Sequence, residues 1–327
     1  MNANSKVSVI IPVYDRRDYV RIAVNSCLNQ EYDKDKLEII VVKNFLDNDL
    51  EKWFSQNFIL YIDSKKTSLV DKIIEGMDIS TGEIICLLED DDEFVSNKIE
   101  IINKYFDDNP DISCLHNNYL TIEEGNNQPN IYSYGHKKEL EKVLRLNEKR
   151  KMLSLIKHKD IYHNLSCWSF RRDYGPKLLN RLAGLTYDID FLIYIEVISN
   201  QIEMLFLPEE LTIYRRHQSA SKLTKEDENI VNLLKFSIFS LNSIQNKISQ
   251  KEIKIYIESN LIIERFKLYI MEKKGPQIDD IRNSIKVMMF PTYINRELYP
   301  FLFLYFTLGI LKEARKKIYM KIAYILN

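Results

Sequence analysis

Apolar positions along the chain fall into two rhythms, one of period two or less and one helical. Segment 6–14 (KVSVIIPVY) is β-branched and almost wholly apolar, which suits a central strand covered on both faces. Beyond it, Tyr19, Val20, Ala23, Val24, Cys27 and Leu28 recur at helical spacing. Segments 37–42 (LEIIVV), 58–63 (FILYID) and 82–88 (GEIICLL) are further short apolar runs and predict strands. Between them, 47–57 (DNDLEKWFSQN) predicts a short helix, and 66–79 lays Leu69, Val70, Ile73, Ile74 and Met77 on one helical face. Segment 97–106 (NKIEIINKYF) predicts another helix, and 111–122 (DISCLHNNYLTI) begins as a strand. Strands alternating with helices predict an α/β fold, a mostly parallel central sheet with helices on both faces. Ligands of such sheets bind at the carboxyl ends of the strands.

The pattern changes after residue 123. Segment 123–130 (EEGNNQPN) reads as a loop, and 137–159 (KKELEKVLRLNEKRKMLSLIKHK) predicts one long, strongly basic helix. From about 225 the periodicity is helical to the end, so the expected division is an α/β domain over 1–224 and a C-terminal helical region over 225–327. Segment 299–311 (YPFLFLYFTLGIL) is intensely apolar but shorter than the ~20 residues a spanning helix needs. Arg315, Lys316, Lys317 and Lys321 follow among Ile318, Tyr319, Ile322, Ile325 and Leu326. Such a basic amphipathic stretch reads equally as peripheral attachment to a membrane surface and as helices packed on protein.

Composition narrows the class. Of 327 residues, 45% are hydrophobic and 28% charged, which fits a folded globular protein. A net charge of −1 supplies no field for nucleic acid, and no nucleic-acid partner is expected. Cys27, Cys86, Cys114 and Cys167 are widely spaced in apolar contexts without a CxxC pair. They read as reduced core residues of a cytoplasmic protein, consistent with a start that carries no signal-peptide core.

One stretch asks for a chemical explanation. In CLLEDDDEF (86–94), Glu89, Asp90, Asp91 and Asp92 follow the end of a buried run. Adjacent carboxylates repel and lose solvation at a strand end unless something positive sits there. A hard divalent ion, Mn2+ or Mg2+, bridging to a diphosphate is the natural compensator. Alternation along an extended chain puts Glu89 and Asp91 on one face, Asp90 and Asp92 on the other. The competing explanation is a solvated loop whose acids favour the start of the next helix. No GxGxxG follows the first strand and no GxxxxGK[ST] occurs, which argues against nicotinamide and P-loop enzymes.

Together these segments resemble a known family. VSVIIPVYDRRDYVRIAVNSCLNQEY (7–32), LEIIVV and STGEIICLLEDDDEF (80–94) are similar to the GT-A glycosyltransferases of family 2, with Asp15 where that family usually has Asn. LPEELTIYRRHQSASK (207–222) resembles its strand and loop ending Y-R-x-H-x-x-S, and TYDIDFLIYIEV (186–197) falls where it has an E-D-x-D segment. The likeness runs over roughly 7–222 and has its motifs in the family's order.

The resemblance implies a GT-A fold with a C-terminal helical extension, and sugar transfer from a nucleoside-diphosphate sugar, UDP or GDP, to an acceptor hydroxyl with inversion. A glycan or lipid-linked acceptor is implied, with peripheral contact at the cytoplasmic membrane face. By the same resemblance Pro12 and Tyr14 line the base pocket, Asn44 offers it a carbonyl oxygen, Glu89 and Asp90 belong to the donor site, and Asp91 holds the metal. His217 joins the metal shell, Arg215 and Arg216 lie near the diphosphate, and Asp188 is the general base on the acceptor hydroxyl. Two departures stand out: Lys43 and Asn44 replace the usual D-D pair after the second strand, and Tyr187 replaces Glu before Asp188. A lysine offers no acceptor to a base N–H. These departures motivate a rival, a non-catalytic nucleotide-binding or scaffold protein on the same fold. They also leave Asp190 as an alternative base. Trp168 reads as core before it reads as a sugar platform, and Lys65, Lys66 and Lys72 as solvated surface residues.

Overall fold

The computed structural model describes residues 5–14, 17–123, 130–133, 142–156, 161–216, 227–272, 274 and 277–289. The chain divides into two compact units, Met1–His217 and Gln218–Asn327.

The first unit is built on one ten-stranded sheet among the described residues. Its strands are β1 (Val7–Pro12), β2 (Leu37–Lys43), β3 (Leu60–Asp63), β4 (Ile84–Leu87), β5 (Glu93–Phe94), β6 (Cys114–Glu123), β7 (Asn130–Ser133), β8 (Leu144–Leu146), β9 (Trp168–Arg171) and β10 (Met204–Arg216). Its helices are α1 (Arg17–Leu28), α2 (Asn48–Gln56), α3 (Leu69–Ile79), α4 (Lys98–Asp108), α5 (Lys149–Leu155), α6 (Gly175–Asn180) and α7 (Ile189–Ser199). The sheet order is β3-β2-β1-β4-β9-β6-β10-β5, with β7 on β6 and β8 on β10. β1, β2, β3 and β4 run parallel, as do β6 and β10. Between these groups β9 runs antiparallel to both β4 and β6. The β–α alternation announces the parallel part; β9 enters by a long return from the far side of 123–165, which no local rhythm encodes.

Every residue of β1 is buried, as its uninterrupted apolar run requires. Val7, Val9 and Ile11 point into a core with Val20, Val24 and Cys27 of α1 and Ile102 and Phe106 of α4. Each such side chain contributes about 1.5–3 kcal/mol on burial. On the opposite face α3 lies close to β1 through Gly76, where an added Cβ would stand 2.6 Å from Ile10 Cγ2. Ser68 starts α3 by accepting from the Asp71 N–H at 3.3 Å, and Asp47 starts α2 by accepting from the Leu50 N–H at 3.0 Å.

The expected basic helix over 137–159 is replaced by strand β8 and the short α5; 134–141 and 157–160 lie outside the described residues. The reason is a period of two: Leu144 and Leu146 are buried with Arg145 between them half-buried, and the three pair antiparallel with β10. Arg145 meets Asp111 at 2.5 Å and Glu203 at 3.4 Å, so this part of the basic run is balanced within the protein.

The second unit contains α8 (Asp227–Gln245), α9 (Lys251–Met271) and α10 (Ile278–Met288). Leu234, Ile262, Ile263, Phe266, Ile270 and Val287 form its core. Arg265 pairs with the buried Asp280 at 2.8 Å. Among the described residues no helix is long and apolar enough to cross a membrane. The apolar and basic segments beyond residue 289 lie outside the described residues.

Candidate active site

The four acids sit where β4 ends. They occupy a turn rather than the strand itself, closed by the Asp92 N–H donating to the Glu89 carbonyl at 3.3 Å. Alternation nevertheless persists: Asp90 is 3% and Asp92 1% exposed, whereas Glu89 and Asp91 are half-buried. Asp90 accepts from the Tyr14 N–H at 2.8 Å, tying the turn to the end of β1. Asp92 accepts from Ser166 Oγ at 2.7 Å, Asn164 Nδ2 at 2.9 Å and the Arg215 N–H at 3.0 Å. Burial pushes the Asp92 pKa up, and the hydrogen bonds only partly oppose it. The inner acids thus brace the turn, and the outer acids remain at its surface. Two outer carboxylates suit an ion that takes its other oxygens from phosphate and water. Among the described residues no three His, Cys, Asp or Glu side chains form a complete protein cage for a metal.

Segment 163–167 forms the next wall. Asn164 adopts φ 75, uncommon outside glycine, and uses every polar group around that bend. Its Oδ1 accepts from the Ser166 N–H at 2.7 Å, its Nδ2 reaches Asp92, and its own N–H donates to Asp190 Oδ2 at 3.0 Å. Ser166 Oγ also accepts from the Glu89 N–H at 2.9 Å. Beneath them Lys98 is fully buried and donates to the Ser166 carbonyl at 2.6 Å and Thr212 Oγ1 at 2.9 Å. Burial lowers its pKa to about 8.

Helix α7 opens at Asp188, which lies in the left-handed region (φ 57, ψ 31) and does not cap the helix with its side chain. Asp190, two residues on, accepts from the Asn164 N–H, from the Phe191 N–H at 2.8 Å and from His163, whose Nδ1 lies 3.3 Å away. Burial would raise the Asp190 pKa, but the His163 contact and the backbone N–H groups outweigh it and hold the carboxyl below its usual range. The His163 ring packs edge-on between Tyr119 (5.7 Å) and Tyr214 (5.5 Å).

At the ends of β1 and β2, Pro12 closes its strand and Tyr14 is half-buried. Lys72 is fully buried, not solvated: it donates to the Val13 carbonyl at 2.7 Å and to Asn44 Oδ1 at 3.0 Å, and its ammonium lies 3.6 Å from the Tyr14 ring centroid. The Asn44 carbonyl oxygen is therefore turned to Lys72, against the expectation that it faces a base. Lys43 is also fully buried, donating to Glu51 at 2.7 Å, the Phe45 carbonyl at 3.0 Å and Asp63. Burial alone would lower the Lys43 pKa, and the two carboxylates reverse that and raise it.

The Arg215 guanidinium reaches Glu93 at 2.5 Å and the Asp91 carbonyl at 3.1 Å, and Arg216 meets Glu123 at 3.3 Å. His217 and Asp15 lie outside the described residues. Trp168 is fully buried, its Nε1–H donating to the Tyr162 carbonyl at 3.1 Å, and is a core residue rather than a sugar platform. The site thus brings together Val13, Tyr14 and Asn44 around Lys72, with Pro12 at the end of β1 beside them, and the 89–92 turn against Asn164 and Ser166. Sequence reading passed over Asn164, Ser166, His163 and Lys98. For Lys72 and Lys98 a signal existed: each stands on the buried stripe of its helix, beside Ile73 and Gly76 in α3 and Ile99 and Ile102 in α4.

A family model described as glycosyl transferase family 2 matches residues 8–175. An uncharacterized glycosyltransferase of Rickettsia bellii (strain RML369-C) is 31% identical over 125 residues, 37% of this chain and 18% of that protein. The uncharacterized glycosyltransferase YibD of Escherichia coli (strain K12) is 26% identical over 133 residues, 38% of each. The chain therefore spans less than two-fifths of either relative's length. Among solved structures, S. aureus TarS 1–349 superposes with a TM-score of 0.55 at 13% identity, over 95% of this chain and 88% of that one. TarS 1–349 in complex with UDP-GlcNAc gives the same score at 14% identity. The mannosyltransferase PcManGT from Pyrobaculum calidifontis, in complex with GDP-Man and Mn2+, gives 0.54 at 12% identity over 99% and 86%. At such identities the likeness is one of fold, the GT-A arrangement with helices after it.

Proposed function

This chain belongs to glycosyl transferase family 2, and from that premise we propose that it transfers a sugar from a nucleoside-diphosphate sugar to an acceptor hydroxyl with inversion. The observation that carries the reading is the division of labour among the four acids: two are consumed in bracing the turn, and two half-buried carboxylates are held at the strand ends. Glu89 and Asp91 are the residues that would hold Mn2+ or Mg2+. When bound, such an ion offsets the charge that grows on the departing diphosphate. Tyr14 and Asn44 bind the base, and Asn164 and Ser166 keep the acidic turn in place. Asp188 takes the proton from the acceptor hydroxyl. Asp190 is unsuited to that task, because three donors stabilise its ionised form and weaken it as a base.

UDP and GDP donors are both proposed, in view of UDP-GlcNAc on TarS and GDP-Man with Mn2+ on PcManGT. The acceptor is a glycan or lipid-linked sugar, and the basic apolar tail after residue 299 supports peripheral membrane contact. Lys43 does not favour the rival scaffold reading, since its ammonium is engaged by Glu51 and Asp63 within the fold.

The test is a thermal-unfolding panel of UDP-, GDP-, CMP- and dTDP-sugars, each with and without Mn2+, on wild type and Asp91→Ala. A ligand bound only by the native state raises the midpoint. A metal-dependent rise with a UDP- or GDP-sugar, lost in Asp91→Ala, is expected. No rise with any of them sinks the donor-site reading.

A further inference from the structure

Helix α3 starts beside the segment that leads into α7, and its free backbone donors are used there. In its first turn the Leu69 N–H donates to Thr186 Oγ1 at 3.4 Å, the Val70 N–H to the Leu185 carbonyl at 3.3 Å and the Asp71 N–H to the cap Ser68 at 3.3 Å. A helix start leaves such donors without intrahelical partners, and residues 185–186 meet two of them. Side chains of α3 return the contact. Ser68 Oγ donates to the Leu185 carbonyl at 2.7 Å, and Asp71 Oδ1 accepts from the Gly184 N–H at 2.8 Å. Four hydrogen bonds thus pin 184–186 to the first turn of α3, and both Ser68 and Leu185 are buried.

Asp188 stands two residues past Thr186, a non-glycine residue in the left-handed region at φ 57. Such a conformation persists where the surroundings hold the chain on both sides. On the far side the α7 ladder begins at Asp188 itself, whose carbonyl accepts from the Leu192 N–H at 2.9 Å. On the near side the hold is the four bonds to α3. From this arrangement we infer that Ser68 and Asp71 are positioning residues, which set the backbone of Asp188 and with it the direction of its carboxylate. The inference rests on the reading of Asp188 as the base and adds what keeps that base in place. A small misplacement of a reacting group slows a reaction without weakening substrate contacts made elsewhere. Donor contacts do not pass through these two side chains: the Tyr14 hydroxyl donates to the Thr67 carbonyl at 3.2 Å, a backbone group that changes at 68 and 71 leave in place. Asp71→Asn still offers an oxygen to the Gly184 N–H, whereas Asp71→Ala offers none.

The experiment follows sugar release to water from UDP-GlcNAc and from GDP-Man, each with Mn2+, and hydrogen exchange of the same proteins without ligand. In Asp71→Ala, kcat is expected to fall about tenfold with the donor KM within about twofold of wild type. Asp71→Asn keeps the acceptor and should stay within about twofold of wild type in both. In an Asp188→Asn background, Asp71→Ala should cost less than about twofold, because a residue that acts through Asp188 has nothing left to place. Exchange in peptides covering 184–192 should quicken in Asp71→Ala and in Ser68→Ala, while peptides within α4, Lys98–Asp108, stay as in wild type. Asp71 is half-buried, so its variants fold even if Ser68→Ala does not. Unchanged exchange at 184–192 overturns the inference. So does an unchanged kcat in Asp71→Ala, or a loss that persists undiminished in Asp188→Asn; each of these leaves Asp188 standing as the base. An Asp188→Asn protein that releases sugar as fast as wild type, or a wild type that releases none, removes the base reading and this inference with it.

Discussion

Two aspartates at the start of α7 stand in different backbone settings. Asp190 is wrapped by the Asn164 and Phe191 N–H groups and by His163, whereas Asp188 heads α7 in a left-handed conformation without capping it. Spacing alone does not separate them; two of the three donors to Asp190, Asn164 and His163, come from a segment some 25 residues earlier. Asp188→Asn is expected to lower turnover by about 10²–10⁴-fold with donor affinity unchanged, read by comparing initial rates with calorimetric binding. Asp190→Ala leaves those donors unpaired and is expected to cost about 2–4 kcal/mol of stability; a purely kinetic effect of this variant would reverse the assignment. His116 illustrates another side chain whose role the sequence concealed. Its Nε2–H donates to the His163 carbonyl at 3.0 Å while its ring lies between Trp168 and Phe206. Burial lowers its pKa from 6.5 to about 3. Between those values the unfolded chain takes up a proton that the folded chain refuses, so this contribution to stability is present above pH 6.5 and is lost as pH falls towards 3. Denaturant titrations from pH 7 to 4 should show a shallower fall for His116→Gln than for wild type.

Elements with a strong local rhythm were legible, and those that depend on distant partners were not. β1, β2, α3 and α4 announce themselves through apolar runs and stripes, and so does the turn of acids at the end of β4. β8 did not, because three residues of period two inside a lysine-rich stretch give a weaker signal than the helix formers around them, and the strand exists through its pairing with β10. Lys72 was misjudged by residue type and Lys98 passed over, although helical spacing put both on buried stripes. The bend at Asn164 was invisible for a different reason: its φ of 75 is held, beyond the local bond to Ser166, by hydrogen bonds to Asp92 and Asp190 from two other elements. That bend gives a prediction at the level of the segment. Asn164→Ala loses the side-chain bonds and keeps a strained backbone, and is expected to cost about 2–4 kcal/mol. Asn164→Gly loses the same bonds but relaxes the backbone, and should recover about 1 kcal/mol of that in chemical denaturation. Equal losses would mean that the conformation at 164 carries no strain.

At the scale of the molecule, the proposed donor site is a junction rather than a pocket carved in one element. The Tyr14 N–H is held by Asp90, the Glu89 N–H by Ser166 and the Arg215 N–H by Asp92, so backbone amides from the ends of β1, β4 and β10 are each secured by a side chain of another segment. Such cross-bracing makes the strand ends one cooperative unit, whose openings a ligand suppresses together. The second unit has its own core around Ile262, Phe266 and Val287. Hydrogen exchange of the full chain with a UDP- or GDP-sugar and Mn2+ should therefore slow in parallel in peptides covering 12–14, 89–92, 163–167 and 213–216. Peptides within α9, Lys251–Met271, should be unchanged. Asp91→Ala should abolish all four effects at once, since one weakened contact lowers occupancy of the whole site. Protection confined to 89–92, with the other three segments unmoved, would show instead that the acids bind a metal alone and that the junction does not act as a donor site.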